Sequence, residues 1–262
     1  MTTKSPQLIF TIIPEIISET DDYLVINKPA GLAVHGGGNL QEPTLADWLI
    51  ARYPKIKKVG DDPARPGIVH RLDREVSGLM VVAKNQKSFT SLKNQFKDRL
   101  ITKEYVALVY GQLSKDEGVI DFPIKRSQTG HKMAAMPLQA DKLLIRHHPQ
   151  NRDQGNINGW FKARTANTEF QVLKKFVNYT LLRVKIKTGR THQIRVHFFA
   201  YGHPLVGDNL YVTPKTKIKN KKLNLGRIFL TADHLIFHDL KGQKQDFKID
   251  LPAELTAALP RH

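Results

Sequence analysis

The stretch His70-Arg71-Leu72-Asp73-Arg74-Glu75-Val76-Ser77-Gly78-Leu79 decides how this chain is read. It sets one aspartate among three basic side chains and runs straight into Leu79-Met80-Val81-Val82-Ala83. That run is apolar on both parities and rich in β-branched residues, the pattern of a strand covered on both faces. A carboxylate with a cation within about 4–6 Å is held in its charged form. Buried beside such a strand with a cationic partner, Asp73 would be a candidate nucleophile. An isolated Arg-x-Asp is more often a surface ion pair, and such pairs are individually weak. The remaining sequence has to choose between these roles.

Outward from the motif, Tyr23-Leu24-Val25-Ile26-Asn27 reads as a short buried strand closed by the turn residues Lys28-Pro29-Ala30-Gly31. Leu45, Trp48, Leu49 and Ile50 mark an amphipathic helix capped near Thr44 and stopped by Pro54. A second helix is expected from about Ser88 to Asp98. Lys103 to Gly111 reads as a strand, and Gln112 to Gly118 as turn. Further strands are expected at Thr168–Lys174, Tyr179–Lys187, Arg227–Ala232 and Leu235–Asp239. Many strands and few helices predict an α+β fold with a mainly antiparallel sheet. Residues 138–167 form a polar interruption expected to be an exposed loop or insertion. Its His147-His148 pair has no carboxylate or further histidine at ligand spacing, so no metal site is expected there.

At 262 residues the chain suits one large domain or two intimate subdomains. It has no cysteine, which excludes disulfides, thiolate metal sites and cysteine nucleophiles, and fits a reducing cytoplasm. No signal-peptide pattern and no apolar run of about 18 residues is present, so neither export nor a membrane span is expected. Forty-one Lys and Arg against 24 Asp and Glu leave a formal charge of +17, which favours a polyanionic partner, nucleic acid first. The tract Lys215–Lys222, five lysines in eight residues, reads as a solvated or phosphate-contacting loop.

A second constellation, Lys187-Thr188-Gly189-Arg190-Thr191-His192-Gln193-Ile194-Arg195-Val196-His197, leads into Tyr201-Gly202-His203-Pro204-Leu205-Val206-Gly207-Asp208. If residues 191–199 are helical, Thr191, Arg195 and Phe198 share a face through their three- and four-residue spacings, and Arg195 could reach a buried carboxylate. The same segment could equally be a basic surface patch for phosphate.

Together the two constellations resemble the RluA-type pseudouridine synthases, and most closely the members that modify large-subunit ribosomal RNA. The likeness rests on six blocks in order. These are Asp21–Gly31 followed by Val34-His35, His70-Arg71-Leu72-Asp73 with Ser77-Gly78-Leu79, Lys103-Glu104-Tyr105, Gly189–His197 and Gly202–Asp208. Position 76 is Val where relatives commonly have Thr. The resemblance implies a catalytic core over about residues 15–255, with a mixed, mainly antiparallel sheet flanked by helices and loops and a cleft between two halves. Many relatives carry a small amino-terminal RNA-binding appendage; here the core begins almost at once, so a single catalytic domain without a separate amino-terminal RNA-binding domain is expected. The resemblance further implies isomerisation of selected uridines without cofactor or metal, in ribosomal RNA or, alternatively, transfer RNA; a cytoplasmic monomer is expected. On this likeness Asp73 corresponds to the catalytic aspartate, Tyr105 to the tyrosine that stacks on uracil, and Arg195 to the arginine paired with the aspartate. Arg71 corresponds to a residue that helps fill the gap left by a flipped base. His70, Arg190 and His192 are expected RNA contacts, with Lys28, His35 and Lys132 as further backbone contacts.

The chemistry suits these residue types. Isomerisation breaks the N1–C1′ glycosidic bond, turns the uracil, and joins its C5 to the ribose. An ionised Asp can add to ribose or ring, or remove the ribose 2′ proton, and each route needs the charged carboxylate. Arginine can hold that charge through a bidentate contact. Tyrosine offers a stacking face and a hydroxyl, although strand tyrosines usually serve packing. Reaching the base requires single-stranded RNA or base flipping. Two rivals remain: an RNA-binding or ribosome-assembly factor of the same fold without catalysis, and a carboxylate-dependent hydrolase. The hydrolase lacks a second catalytic acid in the motif and a metal set.

Overall fold

The computed structural model describes residues 10–36, 42–127, 132–135 and 163–260. Its elements begin with β1 (Glu15–Glu19), β2 (Tyr23–Lys28), α1 (Leu45–Arg52), β3 (Ser77–Ala83), α2 (Gln86–Lys97), β4 (Thr102–Tyr110), β5 (Glu117–Ile120), β6 (Ile124–Arg126) and β7 (Met133–Ala135). They continue with β8 (Thr168–Lys175), β9 (Tyr179–Ile186), α3 (Gln193–Ala200), α4 (Pro214–Leu223), β10 (Leu230–His238), β11 (Lys244–Lys248) and α5 (Ala253–Ala257). This is an α+β fold with mainly antiparallel strand pairing. Two compact units form: the chain up to Ile101 together with His234–Ile249, and Thr102–Asp233 together with the residues from Asp250 on.

In the first unit the strands run in the order β1-β2-β3, with the end of β10 next to β3 and β11 beyond it. β2 and β3 are antiparallel, Tyr23 facing Ala83 and Lys28 facing Gly78. All seven residues of β3 are buried, as its double-parity apolar pattern requires. α1 starts on a reciprocal cap between Thr44 and Asp47 and ends at Tyr53, where Pro54 opens a short 3-10 turn. α2 begins two residues before its expected start, because the Asn85 side chain accepts from the Ser88 amide at 3.0 Å. Leu24, Ile26, Leu45, Leu49, Ile56, Met80 and Leu92 form the buried interior.

In the second unit β4, β9, β8 and β5 lie in that order, each adjacent pair antiparallel. β9 alternates half-buried and buried residues, the period-2 pattern of a strand with one face on the core. Both faces of β4 are covered from Tyr105 onward. Val106, Leu108 and Tyr110 pack with Phe176, Val206, Phe229 and Leu255 of α5. A second cluster joins Ile124, Ala166, Val196 of α3 and Tyr211.

Three expectations need correction. Lys215–Lys222 is not a loop: it belongs to α4, which Thr213 caps from the Thr216 amide with Pro214 at the first helical position. The separate strands at Arg227–Ala232 and Leu235–Asp239 are one strand, β10. Its central polar pair does not break it, since Asp233 accepts from Arg183 and His234 Nε2 donates to Asp246 Oδ1 at 2.8 Å. The turn-rich Gln112–Gly118 already contains the start of β5. Within 138–167, only residues 163–167 are described, and Arg164 bridges to Ile124; His147-His148 lies outside the described residues.

Candidate active site

Asp73 sits at the start of a tight turn whose carbonyl accepts from the Val76 amide at 3.1 Å, immediately before β3. A fully buried lysine holds this turn in place. Lys28, with no exposed surface, donates from Nζ to the carbonyls of Pro29 and Leu32, each at 2.8 Å, and of Arg74 at 3.2 Å. Gly31, at φ +91°, bonds both ways with Arg74: its amide reaches the Arg74 carbonyl at 2.8 Å and its own carbonyl accepts from Arg74 Nε at 2.9 Å. Arg74 also pairs with Glu42. The turn Lys28–Gly31 and the turn carrying Asp73 are therefore one hydrogen-bonded assembly. This overturns the expectation that Lys28 contacts an RNA backbone, because its ammonium is inside the fold. A buried charge is tolerated only when hydrogen-bonded in this way.

The neighbours of Asp73 divide between interior and surface. His70 is half-buried, accepts the Val81 amide on Nε2 at 3.0 Å and lies on the Phe96 ring with centroids 4.7 Å apart. Arg71 is exposed and donates from Nη1 to His35 Nε2 at 3.1 Å. Because His35 Nδ1 contacts the Gly36 carbonyl at 2.9 Å, that nitrogen carries the proton and Nε2 is free to accept. Val76 is 2% exposed, an interior position that suits its apolar side chain.

Tyr105 and Arg195 belong to the second unit. Tyr105 is 5% exposed on β4, facing Val184 of β9. Two residues earlier on the same face, burial pushes the Lys103 amine down to about 8. A Cβ added to Gly189 would meet Lys103 Nζ at 3.6 Å, so this amine lies against the turn that enters α3.

α3 is buried continuously from Gln193 to Phe198, and Arg195 is 3% exposed. Its guanidinium grips Asp208 with both prongs, Nε to Oδ2 at 2.8 Å and Nη2 to Oδ1 at 3.0 Å. Asp208 Oδ1 also accepts from the amides of Leu210 and Tyr211, at 2.8 and 3.0 Å. The Tyr211 ring lies 5.3 Å from the Arg195 guanidinium carbon. Sequence reasoning assigned Asp208 no role, although it ends the last of the six blocks. Gly207 before it has φ +77°, and a Cβ there would fall 2.0 Å from the Arg227 carbonyl, so only glycine fits this turn.

The turn into α3 is built from polar side chains. Gln193 Oε1 accepts from Thr188 Oγ1 at 2.7 Å and from the Arg190 amide at 3.1 Å. Its Nε2 donates to the Asn167 carbonyl at 2.9 Å and to Thr168 Oγ1 at 3.0 Å. One turn on, fully buried His197 contacts the Phe122 carbonyl through Nε2 and Thr168 Oγ1 through Nδ1, both at 2.9 Å. A carbonyl only accepts, so Nε2 carries the proton and Thr168 donates to Nδ1. Burial pushes His197 down to about 4. His192 starts α3 in the left-handed region, φ 55°, and its Nδ1 is 3.0 Å from the Tyr211 hydroxyl. Arg190 is half-buried and donates from Nε to the Thr165 carbonyl at 3.1 Å. Among the described residues there is no cluster of three metal-ligating side chains and no helix long and apolar enough to cross a membrane.

Comparison with known proteins gives these two environments a context. A family model described as RNA pseudouridylate synthase matches residues 22–200. An uncharacterized RNA pseudouridine synthase of Aquifex aeolicus is 39% identical over 90% of this chain and 69% of its own length. The ribosomal large subunit pseudouridine synthase D of Nitrosomonas europaea is 37% identical over 94% of this chain and 64% of its own length. Among solved structures, human RNA pseudouridylate synthase domain containing 1 matches with a TM-score of 0.69 at 26% identity, covering 98% of this chain and 90% of that one. The chain thus spans roughly two thirds of the length of the curated relatives it matches.

Proposed function

Since the chain belongs to the RNA pseudouridine synthase family, we propose that it isomerises uridine to pseudouridine in ribosomal RNA, with Asp73 as the reacting carboxylate. The observation that carries this reading is the family match across residues 22–200, which takes in Asp73, Tyr105 and Arg195 together. In support of ribosomal RNA as substrate, relatives matched over most of this chain carry the name ribosomal large subunit pseudouridine synthase D.

In this reading Asp73 acts as an anion, either adding to the sugar or ring or removing the ribose 2′ proton. Arg195 supplies the positive charge that the reaction needs. Its planar guanidinium is already oriented by Asp208, so little side-chain freedom is lost when it acts. Tyr105 supplies a stacking face for the detached uracil and a hydroxyl for the final loss of the C5 proton. The exposed Arg71 stacks in the space vacated by the flipped base, while His70, Arg190 and His192 contact the RNA. No step draws on a cofactor or metal. Mapping pseudouridine in large-subunit ribosomal RNA from cells with and without this gene tests the reading. Loss of one or more sites supports it, and an unchanged map of both ribosomal and transfer RNA rejects it.

A further inference from the structure

Helix α4 is a ten-residue helix with five lysines and no acidic residue. Its inward face is made by Thr216 and Asn220, four residues apart and both buried. Lys215, Lys217, Ile218, Lys221 and Lys222 are exposed, Ile218 at 71%. Lys219 is half-buried and turns aside, its Nζ 5.4 Å from the centre of the Tyr110 ring. The other four lysines have no ion-pair or hydrogen-bond partner among the described residues. Lys217 and Lys221 stand one turn apart, a like-charge spacing that destabilises a helix by about 0.2–0.5 kcal/mol per pair. Folding alone gives no compensation for that arrangement, whereas a polyanion along the outward face would.

The helix is also firmly seated. Asn220 Oδ1 accepts from the Tyr110 hydroxyl at 2.7 Å and from the Gly207 amide at 2.9 Å, and Nδ2 donates to the Asp208 carbonyl at 2.7 Å. Burial and the neighbouring Tyr179 push the Tyr110 hydroxyl above its ordinary range, which keeps it a donor. Asn220 therefore sits directly on the Gly207-Asp208 turn, whose carboxylate grips Arg195. Anything held by the outer face of α4 is in fixed register with Arg195 through two residues.

We propose that α4 is an RNA-docking helix, in which Lys215, Lys217, Lys221 and Lys222 contact consecutive phosphates of the RNA that carries the target uridine. Phosphate contacts fix register and orientation rather than sequence, and Asn220 converts that register into a fixed placement relative to Arg195. Ile218, central among these lysines, offers an apolar contact for ribose or base. The proposal rests on the RNA-modifying reading above.

The test compares the full chain with its Lys215→Gln/Lys217→Gln/Lys221→Gln/Lys222→Gln variant, using an in vitro transcript of large-subunit ribosomal RNA as the probe. Gln has nearly the helix propensity of Lys and removes the like-charge pairs, so α4 is not weakened by the change. Circular dichroism checks this directly. RNA affinity is measured across a salt series, and pseudouridine formation over a range of transcript concentrations. Each lost phosphate contact on single-stranded RNA lowers the slope of log affinity against log salt by about 0.7, so four should lower it by about 3 and weaken binding by roughly 10- to 100-fold at physiological salt. The loss in turnover should fall mainly on KM.

An unchanged slope overturns the proposal. So does an equal fall when four other exposed lysines, Lys55, Lys57, Lys58 and Lys87, are changed to Gln, because the effect would then belong to a diffuse field. Loss of binding to anionic phosphatidylglycerol vesicles with an unchanged RNA slope would likewise overturn it, in favour of a lipid surface. Binding and turnover are read separately. A wild type that binds with the α4-dependent slope but forms no pseudouridine refutes the proposed function and leaves the docking surface standing, and a wild type that modifies the transcript with an α4-independent slope does the reverse.

Discussion

Arg195 and Asp208, thirteen residues apart in sequence, form a bidentate ion pair in which the two side chains are 4% and 0% exposed. Removing one partner of a buried pair strands the other charge at a cost of about 3–5 kcal/mol. Asp208→Ala should therefore lower stability to urea by about that amount and release the guanidinium. Asp208→Asn, which keeps one oxygen for the Leu210 and Tyr211 amides, should cost less. Arg195→Lys retains the charge but cannot reproduce the two-pronged contact, so pseudouridine formation should fall while the fold persists. Equilibrium unfolding and a turnover assay check both. If Asp208→Ala is as stable as wild type, the pair does not organise this part of the molecule.

Asp73→Asn should remove at least about 10³-fold of pseudouridine formation, in the range expected for loss of a reacting acid–base or nucleophilic group. The Asp73–Val76 turn is closed by backbone atoms and by Lys28 and Arg74, so thermal stability should change little. RNA affinity should stay within a few-fold of wild type. Turnover within ten-fold of wild type would reject the assignment.

The two proposed roles of Tyr105 can be separated by substitution. Tyr105→Phe keeps the ring in its place on β4, where the residue is 5% exposed, and should lower kcat with little effect on stability or KM. Tyr105→Ala removes both face and packing, and should cost about 3–5 kcal/mol of stability as well as nearly all turnover. Equal turnover by Tyr105→Phe and wild type would leave the hydroxyl without a chemical part.

His197 predicts an acid limit to stability. Its pKa is pushed from 6.5 in the unfolded chain down to about 4 in the fold by burial. The folded state thus binds fewer protons than the unfolded state between these values. The stability contributed by neutral His197 is complete above about 6.5 and is lost as pH falls toward 4, by about 3 kcal/mol in order of magnitude. His197→Gln can still donate to the Phe122 carbonyl and accept from Thr168 without titrating. The stability difference between wild type and variant should therefore shift in favour of the variant as pH falls from 7 to 4, measured by urea unfolding. A pH-independent difference would show that His197 does not titrate in this window.

Much of the fold could be read before any coordinates. The double-parity run Leu79–Ala83 reads as a strand buried on both faces, Thr44 with Pro54 brackets α1, and Tyr179–Lys187 reads as a strand. Failures came where a local rule met a distant partner. The lysine tract Lys215–Lys222 has the composition of a solvated loop, and only Asn220, bonded to Tyr110, Gly207 and Asp208, makes it a seated helix. The polar pair Asp233-His234 has the look of a strand break, yet Arg183 pairs with Asp233 and Asp246 with His234, and β10 runs through.

The sequence by itself determined the family and the residues to suspect, because ordered short motifs such as His70–Asp73 and Gly189–His197 are specific in combination even when each is weak alone. It also established the charge that favours a polyanion. Tertiary structure decided what those side chains are bonded to. Lys28 is a basic residue in a conspicuous turn, and only its burial among three carbonyls makes it a support of the Asp73 turn rather than an RNA contact. Asp208 is one aspartate among many until α3 is placed against its turn. Hydrogen bonds and ion pairs depend on distances of about 3 Å between residues far apart along the chain, and a sequence lists its residues without those distances.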